Sequence, residues 1–451
     1  MASITAALSR IKQDPLKAIT PAAVEALCAE VNYDWRQRQL DPATTIALFV
    51  QQVIAGNVPC SEVRHLGEQR FSASAWCQAR SRLPLAVYEG MLTRGCDATM
   101  QQTHEKEHLW HGHRTFHADG STFSMPDSKE LRRVFGTPRG TSDGSVAFPT
   151  AHLLVMFNAA TGLLVDAAAS PLYTSDVSVA AQLHPHLDES DILIGDRHFA
   201  GYAHVALLVQ AKLHALVPNH HLRIIDFAAG RAHTKLSGKN VVAGRPRSRW
   251  IKSLGKDDQL VEWFKPKGCP AWMSPAQHGA LPDSIVVREV RQRVRLPDRR
   301  RIEVTIVTTL LDPVLYPAQE LVELRLKRWD VETNLRHLKI TLGLDVLKCK
   351  TEAGVRKELA VFCLVYNLVR AIMLEAAKRQ QVAVSRISFI DALKWMRHAR
   401  PRDPLPDLMT NPLRRGRIEP RCIKRRAKQY DLMNKPRATL RKALRLQRQT
   451  R

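Results

Sequence analysis

The stretch Arg328-Trp-Asp-Val-Glu332-Thr-Asn-Leu-Arg336-His-Leu-Lys339 predicts a helix with one charged and one apolar face. Residues three or four positions apart lie on the same side of a helix, so one side carries a single acid among bases: Arg325, Arg328, Glu332, Arg336 and Lys339. A second side is wholly apolar and is expected to be buried: Val331, Leu335, Leu338 and Leu342. A lone carboxylate in a cationic stripe suits a helix that holds a metal ion while phosphate groups lie across it.

The composition predicts a globular protein that binds a polyanion. The chain has 451 residues, enough for about two or three domains. Its 68 basic and 43 acidic residues give a formal net charge of +25 at pH 7. Such an excess favours nucleic acid as a partner, with an anionic membrane surface second. The hydrophobic content of 45 % disfavours disorder along most of the length.

The sequence gives no sign of a signal peptide or a membrane span. The N-terminal residues lack a basic start followed by a long apolar core. The longest apolar stretch, residues 359–369, contains Asn367, is followed by Arg370 and is too short to cross a bilayer. We therefore expect a cytoplasmic protein without a membrane partner.

The middle of the chain predicts a mixed α/β sheet covered by helices. Residues 115–119 form a predicted strand that ends in a turn at Gly120, and residues 153–157 and 163–167 flank a predicted β-hairpin. Residues 191–196 are expected to form a buried strand that ends on an acid, followed by a helix and a further strand. This alternation indicates an α/β fold class.

Changes in composition divide the chain into five predicted parts. Residues 71–84 predict a serine cap, a short helix and a proline stop. The exposed face of this helix carries Gln78, Arg80 and Arg82, either for contact with DNA or as an ordinary solvated basic face. From Arg421 onward Asp431 is the one acid. The expected parts are a helical N-terminal region (1–110), a core in two pieces (111–219 and 301–380), a β-rich insertion (220–300) and a basic C-terminal region (381–451).

Asp119 and Asp196 stand out because each is expected at the C-terminal end of a strand. Side chains at such ends open into the crevice where ligands bind in open α/β sheets. Glu332 would join them from a helix packed on the sheet. Three hard oxygen ligands suit Mg²⁺, and two such ions about 4 Å apart can activate a water or a 3′-hydroxyl and stabilise the leaving oxygen. Taken without the cationic helix face, the two aspartates would more often be turn and cap residues.

These motifs together resemble the DDE transposases of bacterial insertion sequences, the insertion-sequence-four type with the YREK signature. The matching motifs are Asp119-Gly-Ser-Thr, Asp196-Arg-His-Phe and Arg328-Trp-Asp-Val-Glu332 with Lys339. The signature reads Tyr, two residues, Arg, three residues, Glu, six residues, Lys; Arg328, Glu332 and Lys339 fit in register, and Arg325 stands at the tyrosine position. The resemblance extends over most of residues 60–375.

The resemblance implies a fold, a reaction and a role for each residue. The implied fold is an RNase H-like mixed-sheet core with a β-rich insertion and a helical N-terminal region that binds element ends. Asp119, Asp196 and Glu332 would hold two Mg²⁺ ions, which Mn²⁺ could replace, and Arg325, Arg328 and Lys339 would bind DNA phosphates. The implied partners are double-stranded DNA, as terminal inverted repeats and target, and a second copy of the chain in a synaptic complex.

Three other functions compete with this one. An RNase H-like nuclease would share the carboxylates but gives no reason for the Arg and Lys register. An inactive DNA-binding derivative would have lost the acids. His104-Glu-Lys-Glu-His108 fits the HExxH pattern of zinc peptidases, but a third ligand at the metzincin spacing is missing and the segment is polar on nearly all sides.

Overall fold

The N-terminal part of the protein is helical. A computed structural model describes residues 20–36, 38–66, 70–103, 106–138, 147–220, 222–234, 244–295, 301–399 and 403–412, with a few positions beyond them. Three helices of this part begin at a side-chain cap, Thr20, Asp41 or Ser72, and each cap accepts a bond from a backbone N–H in the first turn. They are α1 (Pro21–Glu30), α2 (Pro42–Ile54), α3 (Cys60–Val63), α4 (Ala73–Arg82) and α5 (Leu85–Thr103).

A nine-stranded mixed sheet, in the order β3-β2-β1-β4-β5-β9-β8-β7-β6, forms the centre of the described structure. β1 pairs antiparallel with β2 and parallel with β4. β5 is parallel to β4 and antiparallel to β9. The strands are β1 (Thr115–Ser124), β2 (Thr150–Asn158), β3 (Leu164–Pro171), β4 (Ile192–Ile194), β5 (His214–Pro218), β6 (Arg249–Gly255), β7 (Asp258–Phe264), β8 (Ser284–Arg295) and β9 (Arg301–Thr308).

Helices cover both faces of the β1–β5 part of the sheet. On one face Leu153, Val155 and Phe157 join a core with the N-terminal helices and the long helix α12, while Leu154 and Met156 join a core with α7 and α8 on the other. This alternation is the period of a strand buried on both sides. The remaining helices are α6 (Lys129–Phe135), α7 (Asp176–Leu183), α8 (Tyr202–Gln210), α9 (Pro275–Ala280), α10 (Ala318–Leu326), α11 (Trp329–Arg336), α12 (Glu352–Gln380) and α13 (Phe389–His398).

The mixed α/β architecture and the β2–β3 hairpin are confirmed, but β1 is longer than predicted. It does not turn at Gly120: that residue pairs with Leu154, and the ladder continues to Ser124 opposite Thr150. Asp119-Gly-Ser-Thr has the composition of a turn, yet backbone pairing with β2 carries the strand through it. Asp119 therefore lies within a strand and not at its end.

The predicted insertion is β-rich, and its strands belong to the same sheet as the core. β8 pairs with β9 from Arg288 opposite Thr308 to Arg295 opposite Arg301, and β9 pairs with β5. β7 and β6 then extend the sheet outward. The segment therefore continues the central sheet, and the division of the chain at residues 220 and 300 stays a prediction.

The single continuous helix predicted across residues 325–342 is wrong. α10 ends at Leu326, α11 begins at Trp329, and a π-helical turn occupies His337–Thr341. Between α10 and α11 the backbone bonds are of the tighter i→i−3 kind, such as Arg328 N to Arg325 O at 3.2 Å and Asp330 N to Lys327 O at 2.9 Å. The apolar side of this segment is nevertheless buried as predicted: Val331, Leu335, Leu338 and Leu342.

The long helix α12 is the central helix of the largest core. Among the described residues it is the one helix long and apolar enough to cross a membrane, longer than the apolar stretch predicted from sequence, and 89 % of its most apolar window is buried inside the protein. Its Asn367 Nδ2 donates to Leu164 O at 2.7 Å, and Tyr366 OH donates to Gly162 O at 2.9 Å. These bonds hold the β2–β3 hairpin against the helix.

Arg80 is not on an exposed face, contrary to the prediction for α4. Its guanidinium lies 4.1 Å from the centre of the Phe49 ring, and it donates to Gln52 Oε1 at 3.0 Å. Gln78 and Arg82 are exposed. Arg80 thus fixes α4 on α2, and that role accounts for its place in the sequence. The basic stretch from Arg421 lies almost entirely outside the described residues.

Candidate active site

Strand register brings Asp119 and Asp196 together. In the parallel pair of β1 and β4, His117 lies opposite Ile194, the last residue of β4. Asp119 and Asp196 each follow two residues later. Because residues two apart on a strand point the same way, the two carboxylates are delivered to the same end of β4. Asp196 then caps a 3₁₀ turn, accepting from His198 N at 2.8 Å and from His198 Nδ1 at 2.9 Å.

Arg328 links the first and third predicted acids. Its Nη1 donates to Asp119 Oδ2 at 2.9 Å, and its Nη2 lies 3.7 Å from Glu332 Oε1. Arg328 is in the tight turn before α11, and Glu332 is on the first turn of that helix. One guanidinium therefore contacts both carboxylates. Glu332 is about half exposed, at 48 % for its side chain, so this acid faces the opening of the site.

The charges around Asp119 oppose one another. Burial, the largest effect, raises the pKa of Asp119, the Arg328 guanidinium lowers it, and the nearby Asp196 raises it further, with a net upward shift. The site thus concentrates negative charge in a partly buried space and balances it with an arginine.

Arg325 lies beside the acids but belongs to α10, a different helix from Glu332. Burial lowers its pKa to about 10, with a further lowering from Arg328, while Asp196 and Asp119 act in the opposite direction. His117, two residues before Asp119, is buried next to both arginines, and burial followed by Arg325 and Arg328 lowers its pKa to about 3. His117 is therefore neutral at pH 7. Arg325 is a partly desolvated cation close to Asp119 and Asp196.

Lys339 lies in the π-helical turn and forms an ion pair near the last residue of β1. Its Nζ is 3.1 Å from Asp345 Oδ1. Asp345 O accepts from Ser124 N at 2.9 Å, at the last residue of β1 and five positions from Asp119. The prediction placed Lys339 on one stripe with Arg325 by assuming a regular helix between them. The helix break and the π-helical turn interrupt that helix.

A further acid, Asp176, lies beside these residues and was not predicted. Its carboxylate, that of Asp196 and a ring nitrogen of His198 lie within 4.8 Å of one another. Asp176 is the first residue of α7 and follows Ser175. In the sequence it has the ordinary pattern of an acid at a helix start, so only the folded structure shows where its carboxylate points.

The donor set fits a hard divalent cation. The described acids Asp119, Asp176, Asp196 and Glu332 supply carboxylate oxygens, which are the ligands that Mg²⁺ and Mn²⁺ prefer. Of the HExxH pattern, His104 and Glu105 lie outside the described residues, and His108 is in a short 3₁₀ turn.

Comparison with known proteins defines the class. A family model described as Transposase DDE domain matches residues 110–368, more than half of the chain. The chain belongs to this family. It is an enzyme that acts on DNA by cleavage and strand transfer, and its relatives are transposases of insertion sequences.

Among similar proteins is the transposase InsG for insertion sequence element IS4 of Escherichia coli strain K12, 25 % identical over 387 residues, which are 81 % of this chain and 79 % of the relative. The putative transposase InsZ of the same organism is 27 % identical over 173 residues, 36 % of this chain and 56 % of the relative. A cryo-EM structure of a piggyBac transposase synaptic complex with hairpin DNA aligns with a TM-score of 0.42 and 10 % identity, covering 86 % of this chain and 80 % of that chain.

Proposed function

We propose that the transposase cuts DNA at the terminal inverted repeats of an insertion sequence through Asp119, Asp196 and Glu332 on an RNase H-like core. The observation that carries the proposal is the contact of one guanidinium, that of Arg328, with both Asp119 and Glu332. Acids more than two hundred residues apart in sequence are thus gathered around one cation. The family match supports the reaction, and the gathering of acids supports this location.

The chain's residues have distinct tasks in the proposed site. Asp119, Asp196 and Glu332 would hold Mg²⁺, or Mn²⁺ in its place, with Asp196 kept in orientation by the two bonds from His198. When bound, divalent cations at such a site activate a water or a 3′-hydroxyl and stabilise the leaving oxygen of an in-line displacement.

The basic residues would bind the DNA backbone. Arg328 is placed to pair with a phosphate beside the scissile bond, since a guanidinium matches phosphate oxygens as well as carboxylates. Arg325 would add positive charge beneath it, and Lys339 would contact a phosphate near the far end of β1. The net charge of +25 supports binding of terminal repeats and target DNA over a wide surface. Two copies would pair the element ends in a homodimeric complex in the cytoplasm.

The test is Mg²⁺-dependent cleavage of DNA that carries the element's own terminal repeats. We expect Glu332→Gln and Asp119→Asn to lose at least about a thousandfold in cleavage rate, because each removes a charged oxygen ligand. Glu323→Gln is the matched control: Glu323 is exposed on α10 and accepts from Gln319 Nε2 at 2.8 Å. Equal cutting by wild type and Glu332→Gln would refute the assigned site.

A further inference from the structure

Asp176 has a carboxylate that turns back toward the sheet from the start of α7. Asp176 Oδ1 lies 2.5 Å from His152 Nε2, on β2. His152 Nδ1 lies 3.2 Å from Ser170 Oγ. With the hydrogen of a neutral His152 on Nε2, the ring donates to Asp176 and accepts from the Ser170 hydroxyl. Asp176 is therefore fixed in one orientation by a side-chain relay, in the way that outer residues orient metal ligands.

The carboxylate of Asp176 packs directly on the backbone next to Asp119. A Cβ placed on Gly120 would lie 2.7 Å from Asp176 Oδ2 and 2.8 Å from its Cγ, closer than such atoms approach one another. Neighbouring residues of a strand point to opposite faces. Asp176 thus approaches β1 from the α7 face, while Arg328 and Glu332 approach Asp119 from the face of α11. A glycine at position 120 makes this approach of Asp176 possible.

Asp176, His152 and His198 line a cavity of about 470 Å³, and the Asp176 carboxylate lies close to that of Asp196. The side chain of Asp176 is 19 % exposed and that of His152 is 10 % exposed. The carboxylates of Asp176 and Asp196 and a ring nitrogen of His198 lie within 4.8 Å of one another. The two negative charges repel each other, and partial burial strengthens that repulsion. A cation held between them removes that repulsion.

We propose that Asp176, oriented by His152, is a fourth acidic residue of the cleavage centre and helps to hold the divalent cation at Asp196 through its Oδ2 atom, directly or through a water molecule. The inference rests on the proposed function, because the cation is the one proposed for Asp119, Asp196 and Glu332. In this scheme Asp176 would help to hold the cation beside Asp196 and would not itself react with the DNA. The competing explanation is that the Asp176–His152 contact only fixes α7 on the sheet.

The test is binding of Mn²⁺ to the full-length protein without DNA, followed by the electron paramagnetic resonance signal of free Mn²⁺. Asp176→Asn keeps an acceptor for His152 Nε2 and removes the charge, so α7 stays anchored. We expect Asp176→Asn to bind Mn²⁺ roughly 10–100-fold more weakly, the usual effect of losing an outer residue of a metal site. A purely structural contact predicts unchanged Mn²⁺ affinity, and that result would overturn the inference.

Matched variants separate a cation effect from a folding effect. Asp166→Asn removes the acid of a similar pair, Asp166 Oδ2 and His186 Nε2 at 3.0 Å, on β3 and two strands from β1. It should leave Mn²⁺ affinity unchanged. Gly120→Ala should weaken Mn²⁺ binding as Asp176→Asn does, because the new Cβ displaces the Asp176 carboxylate.

The same variants in the cleavage assay distinguish failure of this inference from failure of the proposed function. We expect Asp176→Asn to need roughly 10–100-fold more Mg²⁺ for half-maximal cleavage and to recover at high Mg²⁺. If Asp119→Asn and Glu332→Gln abolish cleavage while Asp176→Asn keeps the wild-type Mg²⁺ and Mn²⁺ dependence, only the role of Asp176 is refuted. If Asp119→Asn cuts as well as wild type, the proposed function itself is refuted.

Discussion

Arg328 occupies the oxygen atoms that a divalent cation would use. Its Nη1 contacts Asp119 Oδ2 at 2.9 Å, on the carboxylate whose pKa is raised by burial and by Asp196 and lowered by this same arginine. The arginine therefore stabilises the charged acids in the metal-free protein and competes with a metal for them. Substitution of Arg328 therefore tests both its stabilisation of the acids and its competition with the metal.

Removing the Arg328 side chain should separate the two effects. We expect Arg328→Ala to lower the free energy of unfolding by about 1–3 kcal/mol without metal, because a partly buried carboxylate loses its partner. The same variant should bind Mn²⁺ several-fold more tightly at pH 8, yet cleave more slowly for want of a phosphate ligand. Denaturant unfolding and Mn²⁺ titration measure the two quantities, with exposed Arg336→Ala as control. Weaker Mn²⁺ binding by Arg328→Ala would contradict the competition.

At this scale the sequence points to acids but not to all of their neighbours. Strand ends, a helix face and the family resemblance single out Asp119, Asp196 and Glu332. In the structure Arg328 contacts Asp119 and Glu332, and Asp196 lies near Asp119. Asp176 escapes prediction because an acid after a serine at a helix start already has a sufficient local explanation. Its relation to His152 and Gly120 depends on strand pairing and helix placement, which no local pattern encodes.

His204 of helix α8 and His184, in the short turn after α7, form a histidine pair whose hydrogen bonding is set by the backbone. His204 Nδ1 donates to Phe199 O at 3.0 Å, so its Nε2 accepts from His184 Nε2 at 3.2 Å when both rings are neutral. Burial lowers the pKa of His204 to about 3, with a further lowering from His184, and lowers the pKa of His184 to about 4. Protonation of His204 would place a charge on a fully buried ring, which burial disfavours.

Acid should therefore destabilise the fold through this pair. The folded pKa of His204 lies below the unfolded value near 6.5, so the unfolded state binds more protons between about pH 3 and 6.5, and stability falls as the pH is lowered through that window. For His204 the loss is about 2 kcal/mol from pH 6.5 to 5.0. His204→Asn should show a shallower fall of the unfolding free energy with decreasing pH. An identical slope in wild type and His204→Asn, with exposed His65→Asn as control, would rule out this contribution.

The elements themselves are predictable to different degrees, for physical reasons. The β2–β3 hairpin follows from alternation and a turn-forming loop, both local properties. The end of β1 is misplaced from sequence because Asp119-Gly-Ser-Thr has turn composition, and only its partner β2 decides that it is a strand. The break between α10 and α11 is missed because hydrophobic period reports which side is buried and not whether backbone bonds run i→i−4 or i→i−3.

Across the whole molecule, the sheet unites parts that differ in composition. Alternating residues and isolated glycines predict a β-rich insertion, yet its pairing to β5 through β9 is a long-range contact that composition does not carry. Residues after α12 also return to the main core, as Phe389 and Leu408 show. Composition shows where the secondary structure changes along the chain. It does not show which segments pack into the same core, because that depends on long-range contacts.

The excess of positive charge should be visible as salt sensitivity of DNA binding. Replacing Lys424, Arg425 and Arg426 with glutamine keeps the chain length and removes three of the charges in the stretch after Arg421. We expect a shallower slope of log binding constant against log salt concentration, by about 0.9 for each DNA phosphate that is no longer neutralised. Filter binding to duplex DNA at several salt concentrations measures it. An unchanged slope would show that this stretch does not bind phosphates.

The register that places Asp119 beside Asp196 also bears on how such a protein can diverge. Their proximity is set by backbone pairing of β1 with β4, which almost any side chains of suitable size can accompany. Neutral drift can thus rewrite most of the surrounding positions, as the 25 % identity to the InsG transposase illustrates. An inserted or deleted residue between Thr115 and Asp119 would shift the register of β1 by one residue. The Asp119 carboxylate would then point to the opposite face of the sheet. Substitutions should therefore accumulate in β1 during evolution, whereas insertions and deletions in β1 should be selected against.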